Sequence, residues 1–424
     1  MNGISSGGKM KKAKIMSLLL IGLLGFLPLS AKAKSTKSAN SFGIKDKRYS
    51  ELLNLSVLDT ANNARLKAVI EKMKKGQTVY IACLGGSVTE GVGPANYRDG
   101  YAYQFQKKLS AKYADGKSSN IKFDGAGLSG TPSTLGLVRY QKDVVETLGQ
   151  SPDLLVIEFA VNDGSGREYE RAFEALIRDA LLQNDDTAII ALYSAATYGN
   201  QQSWMKEIAS HYGVPSVSTM NVVTRALLDG DFTKEKFYTD TVHPTKEGHA
   251  LQADILMNLL SLIEKEKADE KNSLPQEWSA TPTFSGMTRI SGNNEDVKIE
   301  EGVFSSTDIT GQTIKKNGKT DFPQNWYKKQ GSQGTFKMTI NCKNLIFVYK
   351  ENGAWDGLDF GVAEIYVDGQ WFDSYDGAPS NGWNNAVARV IIDEDEAKEH
   401  TVEVKMQEGD EKKAFTILAL AYSK

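Results

Sequence analysis

The chain is poor in several residues that define common protein classes. It has 424 residues but two cysteines, four histidines and ten prolines. Cys83 and Cys342 lie far apart, each in an apolar run. They read as two buried thiols, not as a disulfide framework or a cysteine-rich metal cluster. The formal net charge is -3 at pH 7. With no basic excess, neither nucleic acid nor an anionic membrane surface is expected as a partner. No long-range repeat and no extensive low-complexity segment is visible. The apolar run at residues 15–29, about 15 residues long, falls short of the ~20 needed to span a bilayer.

That run has another reading. Lys9, Lys11, Lys12 and Lys14 precede it, and Ser30-Ala31-Lys32-Ala33 follows it. A basic start, an apolar middle and small residues at Ala31 and Ala33 make the pattern of a bacterial-type signal peptide, cleaved after Ala33. The expected mature protein is secreted, extracellular or cell-wall associated, with no stable membrane anchor. Residues 34–55 are expected to be a disordered or extended lead-in.

A length of 424 residues favours two domains. Residues 56–266 alternate apolar strands with amphipathic helices. Helices are expected over residues 58–75, 101–113, 134–148, 169–182, 204–212 and 245–264. Strands are expected around 80–84, 120–123, 153–159, 187–193 and 214–217. Such alternation predicts a three-layer α/β/α, flavodoxin-like sandwich on a parallel sheet. Residues 267–284 read as a charged, then polar, linker. Residues 285–424 change to short alternating runs: 334–340, 345–349, 362–367, 386–392, 400–406 and 414–422. Turn signals such as Asp368-Gly369 separate them, predicting an antiparallel, jelly-roll-like β-sandwich.

The chemistry-bearing stretch is Tyr80-Ile81-Ala82-Cys83-Leu84-Gly85-Gly86-Ser87. A buried strand breaks at two glycines and presents Ser87 at the carboxyl rim of the sheet, where α/β folds bind ligands. On its own this is equally an ordinary strand-to-loop turn. A serine nucleophile needs a base, and an oriented histidine is the best one. Of His211, His243, His249 and His400, His243 stands in Asp240-Thr241-Val242-His243-Pro244, where Asp240 can reach back to the ring. A surface pair remote from Ser87, or a backbone carbonyl orienting the ring, are the alternatives. His243 with His249 makes a poor zinc pair, being six apart without a further ligand cluster. Acyl transfer also needs oxyanion donors. Gly130 and Asn162 can supply them; equally, Gly130 can be a turn residue and Asn162-Asp163 a helix cap.

Gly85-Gly86-Ser87, Gly125-Ala126-Gly127-Leu128-Ser129-Gly130-Thr131, Val161-Asn162-Asp163 and Asp240-Thr241-Val242-His243-Pro244 together resemble the four blocks of the SGNH (GDSL-type) hydrolases. Gly86 stands where the family has Asp, and Ala160 where the third block usually has Gly. The resemblance implies Ser87 as nucleophile, His243 as base and then acid, and Asp240 as its orienting carboxylate. It also implies an oxyanion hole made of the Ser87 and Gly130 backbone N–H groups and the Asn162 amide. No metal or organic cofactor is required. Secreted carbohydrate O-acetyl esterases share this layout, so an acetylated polysaccharide or another small ester is the expected substrate. A lipase or thioesterase, an O-acetyltransferase and an inactive carbohydrate-binding protein are the competing readings. Trp326, Trp355, Trp371 and Trp383 lie in the β region, either as sugar-stacking faces or as core.

Overall fold

The computed structural model describes residues 40–114, 120–280, 284–310, 321–353 and 357–424. The expected signal peptide and Trp355 lie outside the described residues.

The first domain is built on six strands: β1 (Val57–Asp59), β2 (Val79–Gly85), β3 (Ile121–Gly127), β4 (Leu154–Glu158), β5 (Ala188–Tyr193) and β6 (Ser216–Ser218), in the order β1-β6-β5-β4-β2-β3. All neighbours are parallel except β1, which pairs antiparallel with β6. The antiparallel edge departs from the all-parallel expectation. Leu58, expected as the start of a helix, lies in β1 instead; Ala61 adopts φ 44 and breaks the run before the helix begins at Ala64.

Eleven α-helices are described: α1 (Asp46–Leu55), α2 (Ala64–Lys74), α3 (Ser87–Glu90), α4 (Tyr101–Tyr113), α5 (Ser133–Arg139), α6 (Glu146–Leu148), α7 (Arg167–Gln183), α8 (Gln202–His211), α9 (Thr219–Asp229), α10 (Lys234–Phe237) and α11 (Lys246–Lys265). A π-helical turn, Tyr140–Val145, joins α5 to α6. Period-2 alternation in the strands sorts their side chains between two faces. Ile81 and Cys83 enter the core beneath α2, α4 and α11. Ala82 and Leu84 enter the core beneath α5, α7 and α8. Both Cys83 and Cys342 are buried free thiols.

Helix α1 corrects the expectation of a disordered or extended segment up to residue 55. It is helical because Tyr49, Leu52 and Leu53 recur at helical spacing and pack on the core. Arg48 pairs with Asp229 and Asp231, and the Tyr49 hydroxyl donates to Asp254 at 2.8 Å. The linker is likewise no loose tether. Glu174 accepts the backbone N–H groups of Ser279 and Ala280, both at 2.6 Å, and Phe284 is fully buried in the α/β core.

The second domain is an antiparallel sheet: β7 (Thr288–Arg289), β8 (Val297–Glu300), β9 (Trp326–Lys328), β10 (Phe336–Glu351), β11 (Val362–Val367), β12 (Gln370–Asp376), β13 (Asn385–Met406) and β14 (Phe415–Ser423). Its strands enclose a shared apolar core containing Trp326, Phe347, Tyr349, Tyr375 and Phe415. The runs at 334–340 and 345–349, expected as separate strands, merge into β10, which begins at Phe336. The register shift between Cys342 and Asn344 bends this strand without ending it. The runs at 386–392 and 400–406 are joined in the same way within β13.

A separate apolar cluster joins the domains. Leu128, Leu135 and Val138 of the first meet Phe322, Ile346, Val348, Leu418 and Ala419 of the second. Arg171 and Asp393 make a two-pronged pair across the same seam, at 2.6 and 2.7 Å. A seam of this kind couples the domains. Ile346→Ala is expected to cost about 2–5 kcal/mol and to lower one shared unfolding transition, measured by calorimetry. Two transitions, only one of them shifted, would contradict the coupling.

Candidate active site

Strand β2 ends at Gly85, and Ser87 opens α3, so the Ser87 N–H has no partner within that helix. Ser87 is only 7% exposed. The second glycine of the turn abuts Asn162. A Cβ on Gly86 would lie 2.2 Å from Asn162 Oδ1, so a residue with a side chain there would push Asn162 away. Asn162 Oδ1 is buried without a hydrogen-bond partner. The amide nitrogen is the other branch of the same group.

His243 reaches Ser87 from 156 residues away, with Nε2 2.8 Å from Oγ. Its Nδ1 lies 2.6 Å from Asp240 Oδ2. The segment carrying both is a closed turn. Tyr238 and Pro244 bridge its ends, and the Thr239 N–H donates to the His243 carbonyl at 2.8 Å. Inside it, Asp240 Oδ1 accepts the N–H groups of Val242 and His243 at 2.8 and 2.7 Å. Burial would raise the Asp240 pKa, but these donors and the imidazole outweigh it and hold the carboxyl below its ordinary value. Asp240 therefore stays charged and favours the Nδ1–H tautomer of His243, leaving Nε2 to accept the Ser87 proton.

The other three histidines do not join this group. His249 is buried, accepts the Tyr101 N–H at Nδ1 and meets the Val92 carbonyl through Nε2. Burial lowers its pKa to about 4, so it is a neutral structural clamp. His400 sits in the β domain beside Asp368, and His211 meets the Glu277 carbonyl. Among the described residues, no group of three or more His, Cys, Asp or Glu could hold a metal ion.

Gly130 lies in the turn after β3, at φ +72. Trp383 of the second domain stands beside it: a Cβ on Gly130 would be 3.1 Å from the indole ring. Trp383 is 43% exposed. Its loop is held by the Trp383 N–H donating to Asn385, whose amide donates to Glu351. Of the other tryptophans, Trp326 is core and Trp371 is exposed on β12. Asp163 does not cap the helix that follows it. Instead it accepts the N–H of Ser133, the first residue of α5, at 2.6 Å.

Glu158 escaped the sequence reading, where it was one polar residue at a strand end. It is fully buried behind the Ser87 turn and accepts the Thr89 hydroxyl at 3.0 Å; that hydroxyl also meets the Tyr101 hydroxyl at 2.8 Å. Burial raises its pKa to about 7, against hydrogen bonds that favour the carboxylate.

Residues 83–251 match the model of the GDSL-like lipase/acylhydrolase family. The chain is also similar to the crystal structure of a two-domain esterase (CEX) active on acetylated mannans. The identity is 25% and the TM-score 0.74, over 88% of this chain and 99% of that one. A second crystal structure of such an esterase, co-crystallised with mannopentaose, matches at 24% identity and TM-score 0.74, over 88% and 98% of the two chains. These likenesses span both domains. No curated protein sequence matches the chain.

The folded-state pKa of Glu158 lies above its unfolded value of 4.5. The native protein therefore holds the extra proton between pH 4.5 and about 7, so stability falls as pH rises through that window and levels off above it. Urea unfolding at pH 5 and pH 8 should show the parent losing about 2 kcal/mol more than Glu158→Gln. Equal losses would contradict a neutral Glu158.

Proposed function

We propose that the chain is a secreted serine esterase that removes small acyl groups, acetyl foremost, from a polysaccharide. The observation that carries this reading is the hydrogen-bonded chain Ser87–His243–Asp240, with an exposed tryptophan of the second domain beside the Gly130 turn.

His243 Nε2 takes the Ser87 proton as Oγ attacks the acyl carbonyl. The carbonyl oxygen becomes an oxyanion that accepts hydrogen bonds from the N–H groups of Ser87 and Gly130 and from the Asn162 amide. Such donors act where charge develops, and the loss of one commonly costs about 10²–10³ in kcat. The imidazolium, stabilised by Asp240, gives its proton to the sugar oxygen as its bond to the acyl carbon breaks, and the sugar leaves as the free hydroxyl. Water, deprotonated by His243, then attacks the Ser87 acyl ester. The returning proton frees Ser87, and the carboxylic acid leaves.

Two features support the substrate class. Trp383 stands beside the Gly130 turn with its ring partly exposed, where a sugar ring can stack. The two-domain esterase of similar fold acts on acetylated mannans, so acetylated mannan is the first polysaccharide to test. The basic and apolar N-terminal pattern supports export.

The chain from residue 34 should hydrolyse 4-nitrophenyl acetate faster than the butyrate, and the octanoate hardly at all. Ser87→Ala should lose at least about 10³-fold in kcat. Preference for octanoate would move the assignment to a lipase or thioesterase. Transfer to sugar hydroxyls exceeding hydrolysis would make it an O-acetyltransferase, and inertness toward every ester would leave a binding protein. Trp383→Ala should raise KM for acetylated mannan about tenfold, equivalent to about 1.4 kcal/mol, with 4-nitrophenyl acetate kinetics within about twofold. An unchanged KM on the polymer would remove Trp383 from the substrate path.

A further inference from the structure

We infer that Glu90 is a positioning residue that holds the Gly130 turn in register with Ser87; this rests on the esterase reading above. Glu90 lies in α3, three residues after Ser87. Its Oε2 accepts the Ser129 backbone N–H at 2.9 Å and also the Ser129 hydroxyl. One carboxylate thus ties the short helix carrying the nucleophile to the residue before Gly130.

The surrounding contacts show why this tie matters. At the end of β3, a Cβ on Gly127 would lie 2.0 Å from the Glu90 nitrogen and 2.4 Å from its Cα. Helix and turn are therefore in direct backbone contact, and any side chain at position 127 would wedge them apart. Elsewhere the Leu128 N–H donates to the Gly85 carbonyl at 3.1 Å, and the Thr131 N–H to the Leu128 carbonyl at 3.2 Å. The buried Arg139 donates to the Ala126 carbonyl at 3.0 Å and lies 3.3 Å from the Thr131 hydroxyl. These bonds hold the two ends of the segment; Glu90 holds its middle. The peptide between Ser129 and Gly130 is planar. Anchoring Ser129 through both its N–H and its side chain restrains where the Gly130 N–H can point. An oxyanion donor has to lie about 2.7–3.1 Å from the developing charge, and small displacements at such a site cost up to about 10² in rate.

Glu90 acts on the turn through Ser129, so its removal should leave the Ser87 relay intact and weaken oxyanion binding. Three variants test this, with kcat and KM on 4-nitrophenyl acetate and the inhibition constant of methylboronic acid, whose serine adduct mimics the tetrahedral oxyanion. Glu90→Ala is expected to lower kcat about 10–100-fold, leave KM within threefold, and weaken boronate inhibition by a factor similar to the kcat loss. Glu90→Gln keeps an acceptor oxygen and should return both readouts to within about fivefold of the parent. Ser129→Ala keeps the backbone bond alone and should fall between them. If Glu90→Ala does not fold, the Ser129→Ala change in boronate inhibition decides, and less than a twofold change overturns the inference. A kcat loss in Glu90→Ala without weaker boronate inhibition also overturns it, as does an unchanged kcat in an active parent. A parent without Ser87-dependent hydrolysis overturns the esterase reading, and this inference with it.

Discussion

The hydrogen bond between Ser87 and His243 is the constraint that the rest of the structure has to meet. Its partners are 156 residues apart, and neither is placed by local sequence alone. Ser87 is held because β2 is paired on both sides, by β3 and β4, and ends in a Gly-Gly turn that abuts Asn162. His243 is held because its segment closes on itself before α11, whose N-cap Thr245 accepts the Gly248 N–H. The long helix then buries Leu251, Ile255, Leu256, Leu259 and Ile263 against the sheet. Burial of that face docks the helix, and the helix delivers the histidine. A hydrogen bond of about 1 kcal/mol net could not gather these elements by itself. The apolar core does that, and the site inherits its precision.

The second domain belongs to the same construction. It packs Ile346, Val348 and Leu418 behind Leu128 and Leu135, which flank the Gly130 turn in the chain. It also sets Trp383 in front of that turn. The turn is thus contacted by Glu90 and Arg139 from within its own domain and by Trp383 of the β domain. Removing the second domain would expose the apolar seam as well as lose the tryptophan. Glu158 carries a different burden. A buried carboxyl behind Ser87 costs stability as pH rises, and its bond from Thr89 ties the sheet to α3.

Much of this was legible in the sequence, because the strongest signals are periodic or punctuated. Strands β2, β4 and β5 are apolar runs of the right length, and α4 spans the residues its spacing predicts. The residues singled out as Ser87, His243 and Asp240 form one hydrogen-bonded chain through His243, and Asn162 and Gly130 sit in the adjoining loops. What escaped was set by contacts between distant segments. The edge strand β1 is three half-buried residues defined by pairing with β6. Helix α1 hides among charged residues, and its apolar stripe is short. Trp383 was visible as an exposed-face or core candidate, but nothing in its neighbours points to Gly130, more than 250 residues earlier. Glu90 and Glu158 read as ordinary acidic residues, since their roles depend on Ser129 and on burial.

The central claim is that His243 activates Ser87, and the most direct measurement is covalent capture of the nucleophile. The protein should react with a short-chain fluorophosphonate to give one phosphonyl adduct, located by mass spectrometry on the peptide containing Ser87. Labelling should be absent in Ser87→Ala and slowed by at least about 10³-fold in His243→Ala. No adduct, an adduct on another residue, or labelling indifferent to His243 would contradict the account.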